Sequence, residues 1–183
     1  HSADWLPPLT LLAVLAGNRR QTAGGQVIWI GRKVWPTLAL LTATQGAAAQ
    51  HDNLLLDPVT LADRIWAIEQ CLRCGDGATG SGVGAGVAAI VADGSGLSLA
   101  ATRRLQLAAE APPSAAPSTP TIAASGGLVL LARPPAELRV ASLAATRWKV
   151  CPRVVPSAQV CGLHLLERGQ RIGPHRAAPH IVA

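Results

Sequence analysis

Apolar positions along the chain fall into short continuous runs and into stripes of helical period, and their alternation predicts strand–helix units. Gln26-Val-Ile-Trp-Ile-Gly31, set between a Gly-Gly pair and Arg32-Lys33, has the form of a strand buried on both faces of a parallel sheet. Asn53–Asp57 is predicted as a second buried strand and Val87–Asp93 as a third, ending in a carboxylate. Gly127–Ala132 is the fourth, stopped by Arg133-Pro134-Pro135. Leu9–Ala16 predicts a buried helix that Gly17-Asn18-Arg19-Arg20 ends, and Trp35-Pro36 opens a helical stretch to about Thr44, with Pro36 near its first turn. After Pro58, Leu61, Ile65, Ile68 and Leu72 recur on one helical face, with Asp63 and Glu69 off it and Gly75 as the stop. Ser98 is placed to cap a helix that runs through Glu110, with Leu99, Leu105, Ala108 and Ala109 beside Arg103 and Arg104.

The remaining segments read differently. Residues 75–86 contain six glycines, and Gly80-Ser-Gly82-Val-Gly84 superficially resembles a dinucleotide fingerprint. That fingerprint follows a strand and opens a helix; here the order is reversed, so a loop is expected. Residues 111–126 are a Pro, Ser, Ala and Thr stretch with too little apolar surface to order itself, a flexible insertion. Thr146–Val150 and Gln159–Leu166 alternate as an antiparallel pair. The expected fold class is α/β: a parallel sheet flanked by helices, with a C-terminal antiparallel hairpin. It forms a single domain over residues 5–169, followed by a basic tail, 170–183.

Composition narrows the function classes. At 49% hydrophobic and 14% charged residues over 183 positions, global disorder is excluded. No apolar run reaches the roughly 18 residues of a spanning helix, and no basic residues precede Leu9–Ala16 as in a secretory signal. A cytoplasmic protein with reduced thiols and no membrane partner is expected. Cys71 and Cys74 have zinc spacing but end a helix, and Cys151 and Cys161 lack the tight spacing of a structural site, so no metal centre is expected.

The formal charge of +6 is unevenly spread: residues 1–100 sum to −1 and residues 101–183 to +7. Fourteen of the sixteen basic residues are Arg, whose forked donors suit phosphate or carboxylate. The basic half is either a footprint for nucleic acid or an acidic partner, or the compositional drift of a GC-rich genome. Contact candidates are Arg103, Arg104, Arg147, Lys149, Arg168, Arg171 and Arg176. Arg103 and Arg104 could reach phosphate; a solvated helix face, salt-bridged to Glu110 or a neighbour, explains them equally. Strand alternation puts Arg147 and Lys149 on one face and turns Trp148 toward the core.

Three blocks carry a family resemblance. Ile65-Trp66-Ala-Ile-Glu69 with Leu72-Arg-Cys-Gly75, then Thr102-Arg-Arg-Leu-Gln-Leu-Ala-Ala-Glu110, then Ala145-Thr-Arg-Trp-Lys-Val150 resemble ImuA, the RecA-like accessory protein of bacterial inducible mutagenesis. The resemblance covers about residues 25–170 and implies a non-catalytic adaptor in the SOS response. Its implied partners are an ImuB-like protein and an error-prone polymerase, with RecA and DNA as further ones. Val87–Asp93 resembles a Walker B strand, which makes Asp93 a nucleotide or magnesium candidate; its other reading is a carboxylate capping the turn before Ser98. The pattern departs where catalysis needs it. No G-x-x-x-x-G-K-[ST] occurs, and Gly31-Arg32 and Ala132-Arg133 offer neither a general base nor an amide sensor. No catalytic residue and no cofactor are therefore expected in this chain. It begins at His1 without Met, so a P-loop upstream, with ATP and magnesium, is the alternative. A second alternative, from relatives labelled SulA-like, is a cell-division inhibitor.

Overall fold

The computed structural model describes residues 5–74, 86–110, 128–155 and 158–168, the last stretch and residues 152–155 as backbone only. The glycine-rich 75–85, the insertion 111–126 and the tail with Arg171 and Arg176 lie outside the described residues. The chain divides into two compact units, His1–Ser142 and Leu143–Ala183.

The first unit is an α/β sandwich. Helix α1 (Leu9–Ala23) precedes β1 (Gln26–Ile30); α2 (Leu38–Gln45) leads to β2 (Asn53–Leu56); α3 (Leu61–Cys74) leads to β3 (Val87–Asp93); α4 (Leu99–Glu110) is followed by β4 (Leu128–Ala132). The four strands form one wholly parallel sheet in the order β2-β1-β3-β4. Alternate residues of the central strands feed two separate cores. Val27, Trp29, Ala89 and Val91 pack with Leu12, Ala13 and Ala16 of α1 and Leu41 of α2. Ile28, Ile30, Ile90 and Ala92 pack with Ile68 and Leu72 of α3 and Ala101 and Leu105 of α4. Helices therefore cover both faces, as the continuous apolar strands require.

Local chemistry sets the helix ends. The sequence places the second helix from Trp35-Pro36; it starts instead at Leu38, because the Thr37 side chain accepts from the Leu40 amide at 3.2 Å and caps it there. For α3, Thr60 and Asp63 form a reciprocal capping box: the Asp63 carboxylate accepts from the Thr60 amide at 3.2 Å, and the Asp63 amide donates to the Thr60 hydroxyl at 3.1 Å. Ser98 caps α4 as expected, accepting from the Ala101 amide at 3.1 Å.

Three expectations are corrected. The first helix does not stop at Gly17 but runs through it to Ala23. A Cβ at Gly17 would stand 2.8 Å from Gln45 Cγ, so the glycine is what lets α1 and α2 close on one another. Asn53–Leu56 is an edge strand rather than a buried one: among the described residues it pairs only with β1, and Leu54 and Leu55 are exposed. Glu69, off the apolar face of its helix, is nevertheless buried.

A polar chain threads the first core. The Trp29 indole donates to Asn53 Oδ1 at 2.7 Å, Asn53 donates to Gln45 Oε1 at 3.0 Å, and Gln45 donates to the Ala13 carbonyl at 3.3 Å. It links β1, β2, α2 and α1 in one satisfied network, which fixes how these elements dock.

The second unit is a long antiparallel ribbon of β5 (Thr146–Val155) and β6 (Ala158–Arg168). Arg147 faces Glu167 in register and Trp148 faces Leu165, with an irregularity between the two pairs. The hairpin expected from the sequence is present and longer than its alternation suggested. Trp148, however, is exposed rather than core: a two-stranded ribbon has no second layer of its own to bury it.

Candidate functional site

The connections of β1 define where an open α/β sheet would bind a ligand. The chain leaves β1 through α2 on one face to reach β2, and returns through α3 on the other face to β3, on the opposite side of β1. The crevice at the C-terminal ends of β1 and β3 is thus a topological switch point. Gly31 and Asp93 meet there. Gly31 has φ +94°, and a Cβ on it would come within 3.1 Å of Asp93 Cβ.

That crevice is filled by an arginine. Arg64, projecting from α3, places Nη1 3.0 Å from Asp93 Oδ2 and 2.7 Å from the Asp93 carbonyl. The other carboxylate oxygen accepts from the Ser95 amide at 2.9 Å. Asp93 therefore closes the turn after its strand, and both oxygens are engaged. Side-chain exposures of 16% for Arg64 and 10% for Asp93 place the pair largely out of water. A magnesium ion at this carboxylate would meet a fixed guanidinium first, so the residues present do not fit a magnesium–nucleotide site. Among the described residues no group of three or more His, Cys, Asp or Glu is arranged to hold a metal ion.

The rest of the C-terminal rim repeats this arrangement. Arg32, after β1, donates to Asp57, after β2, at 2.6 Å. Arg133, after β4, forms a two-pronged pair with Glu137 at 3.0 and 2.8 Å and donates to the Leu97 carbonyl at 2.8 Å. Arg32 and Arg133 thus tie neighbouring loops together.

The other predicted residues go elsewhere. Arg104 makes a forked pair with Glu69 of α3, Nε to Oε1 at 2.8 Å and Nη2 to Oε2 at 2.6 Å. The neighbour expected for Arg103 and Arg104 is thus Glu69 for Arg104, whereas Arg103 contacts Gln106 at 3.5 Å and Gln106, not an arginine, holds Glu110. Arg147, Lys149 and Arg168 belong to the ribbon, where Lys149 is exposed and Arg168 pairs with Thr146 in register. The structure brings together two of the three family-like blocks, on α3 and α4, through the Glu69–Arg104 pair.

Sequence reasoning missed Arg64 and Glu69 as organising residues. A weak signal existed for Glu69: it lies three residues after Trp66 and four before Arg73, which puts all three on one side of α3. The fold and its rim define a doubly wound α/β domain whose switch-point crevice is closed from within. No family model matches the chain, and neither a curated protein nor a solved structure matches it.

Proposed function

We propose that this chain is a non-catalytic, RecA-like adaptor of the ImuA type, cytoplasmic and acting in SOS-induced tolerance of DNA damage, where it binds a polymerase-like ImuB partner. The observation that supports the reading most is the rim of the sheet. At the C-terminal rim, where a nucleotide-hydrolysing protein of this type carries its carboxylate, base and sensor, this chain has the ion pairs Arg64–Asp93, Arg32–Asp57 and Arg133–Glu137. Hydrolysis needs donors and a metal-binding carboxylate preorganised toward the phosphates. Here these side chains are directed at one another and hold the rim of the scaffold. No helix among the described residues is long and apolar enough to cross a membrane.

The test is co-purification of the full chain with an ImuB-like protein, with and without ATP and magnesium, alongside a phosphate-release assay on the chain alone. A complex that forms equally in both conditions, without phosphate release, is expected. Turnover of ATP with no complex would overturn the adaptor reading in favour of an ATPase.

A further inference from the structure

A second solvent-facing feature, outside the rim, is on the α3–α4 face. A notch of about 340 Å³ opens between the helices, lined by Glu69, Arg73, Arg104, Leu107 and Ala108. Its floor is ionic and its walls are mixed. Glu69 is buried, with 7% of its side chain exposed, while Arg104 is 65% exposed. The fork uses Nε and Nη2 of Arg104, so the carboxylate anchors the guanidinium and leaves Nη1 outside the pair. Arg73 is exposed and has no partner among the described residues. Leu107 is 50% exposed on one wall, and Trp66, 62% exposed, stands on the same side of α3 as Glu69 and Arg73.

From this face we infer a docking site for an acidic protein segment that carries a bulky apolar side chain close to a carboxylate. Three features of the surface select that occupant. Of the charged residues that line the notch, Arg73 and Arg104 outweigh Glu69, so it is net positive and calls for a negatively charged partner. Arg104 is held in place before any partner arrives, which lowers the entropy cost of a forked contact to carboxylate. Leu107 and Trp66 supply apolar area beside the charges, the mixture of arginine and aromatic surface that dominates protein interfaces. A single-stranded nucleic acid would instead need cations spaced along a backbone-tracking groove. Here they converge on a notch with room for one or two side chains. Nor do the chain's own adjoining segments match: residues 75–86 hold one acid, Asp76, and residues 111–126 hold none, and neither has an aromatic residue.

This inference rests on the adaptor reading for the idea that the partner is a protein, but the surface has its own test. The full chain and its Arg73→Glu and Leu107→Asp variants are titrated into a fluorescein-labelled amphipathic helical peptide with a leucine stripe flanked by glutamates, and separately into labelled oligothymidylate. Both variants leave Glu69 and Arg104 unsubstituted, and circular dichroism checks that they are folded. The expected result is peptide binding by the native chain, weakened at least about tenfold in each variant, with oligothymidylate not competing. Equal binding by native and variant chains, no peptide binding by the native chain, or displacement of the peptide by oligothymidylate would each overturn the proposal. Capture of an ImuB-like protein by the same three chains separates the two ideas. Peptide binding without any capture defeats the adaptor reading alone, and capture unaffected by both substitutions defeats the docking surface alone.

Discussion

Two ion pairs on the same side of the sheet put arginine to opposite uses. In Arg64–Asp93 both partners are largely buried, the guanidinium also bonds the Asp93 carbonyl, and the pair seals the crevice between β1 and β3. In Arg104–Glu69 only the acid is buried, and it holds its arginine at the surface beside a notch. The first pair removes a charge from solvent and from any ligand. The second uses a buried charge to present one outward. Residue type alone would not separate them; the difference lies in which partner the packing covers.

Substitutions can break this contrast, and the largest effect belongs to the scaffold both pairs depend on. Trp29→Ala empties a fully buried indole site and leaves the Asn53 acceptor without its donor, with an expected loss of about 3–5 kcal/mol, read by urea unfolding. Arg64→Ala strands a mostly buried carboxylate and should cost about 3 kcal/mol, which Arg64→Met with Asp93→Asn should partly recover, because the amide oxygen still accepts from Ser95. If the single variant cost no more than a surface pair, the crevice would be wetter than the geometry implies. Arg104→Ala is expected to cost less, about 1–2 kcal/mol, because water can reach Glu69 once the exposed guanidinium is gone. Arg32→Ala should change stability by under about 1 kcal/mol, since that arginine is 77% exposed.

Most of the sheet was legible in the sequence, for a plain physical reason. Strands covered on both faces read as unbroken apolar runs, and Val27–Ile30 and Val87–Ala92 are such runs. The same rule misled at Asn53–Leu56, where three leucines in a row sit on an edge. An apolar run reports that a residue can be buried, and strand order decides whether it is. Gly17 misled in the other direction: read as a stop, it is a contact point whose missing Cβ admits Gln45. Periodicity put Glu69 outside the core because it counts one helix at a time, and burial came from the neighbouring α4. Asp93 was legible as a strand-end carboxylate, but its arginine partner lies 29 residues earlier in the chain and no local pattern announces such a pair.

The most direct measurement is isothermal titration calorimetry of an ImuB-like protein against the native chain, Arg32→Ala at the rim and Leu107→Asp on the helix face. If the rim serves the scaffold and the α3–α4 face serves the partner, Arg32→Ala binds like the native chain and Leu107→Asp binds at least about tenfold more weakly. Loss of binding in Arg32→Ala with full binding in Leu107→Asp would contradict that division of labour.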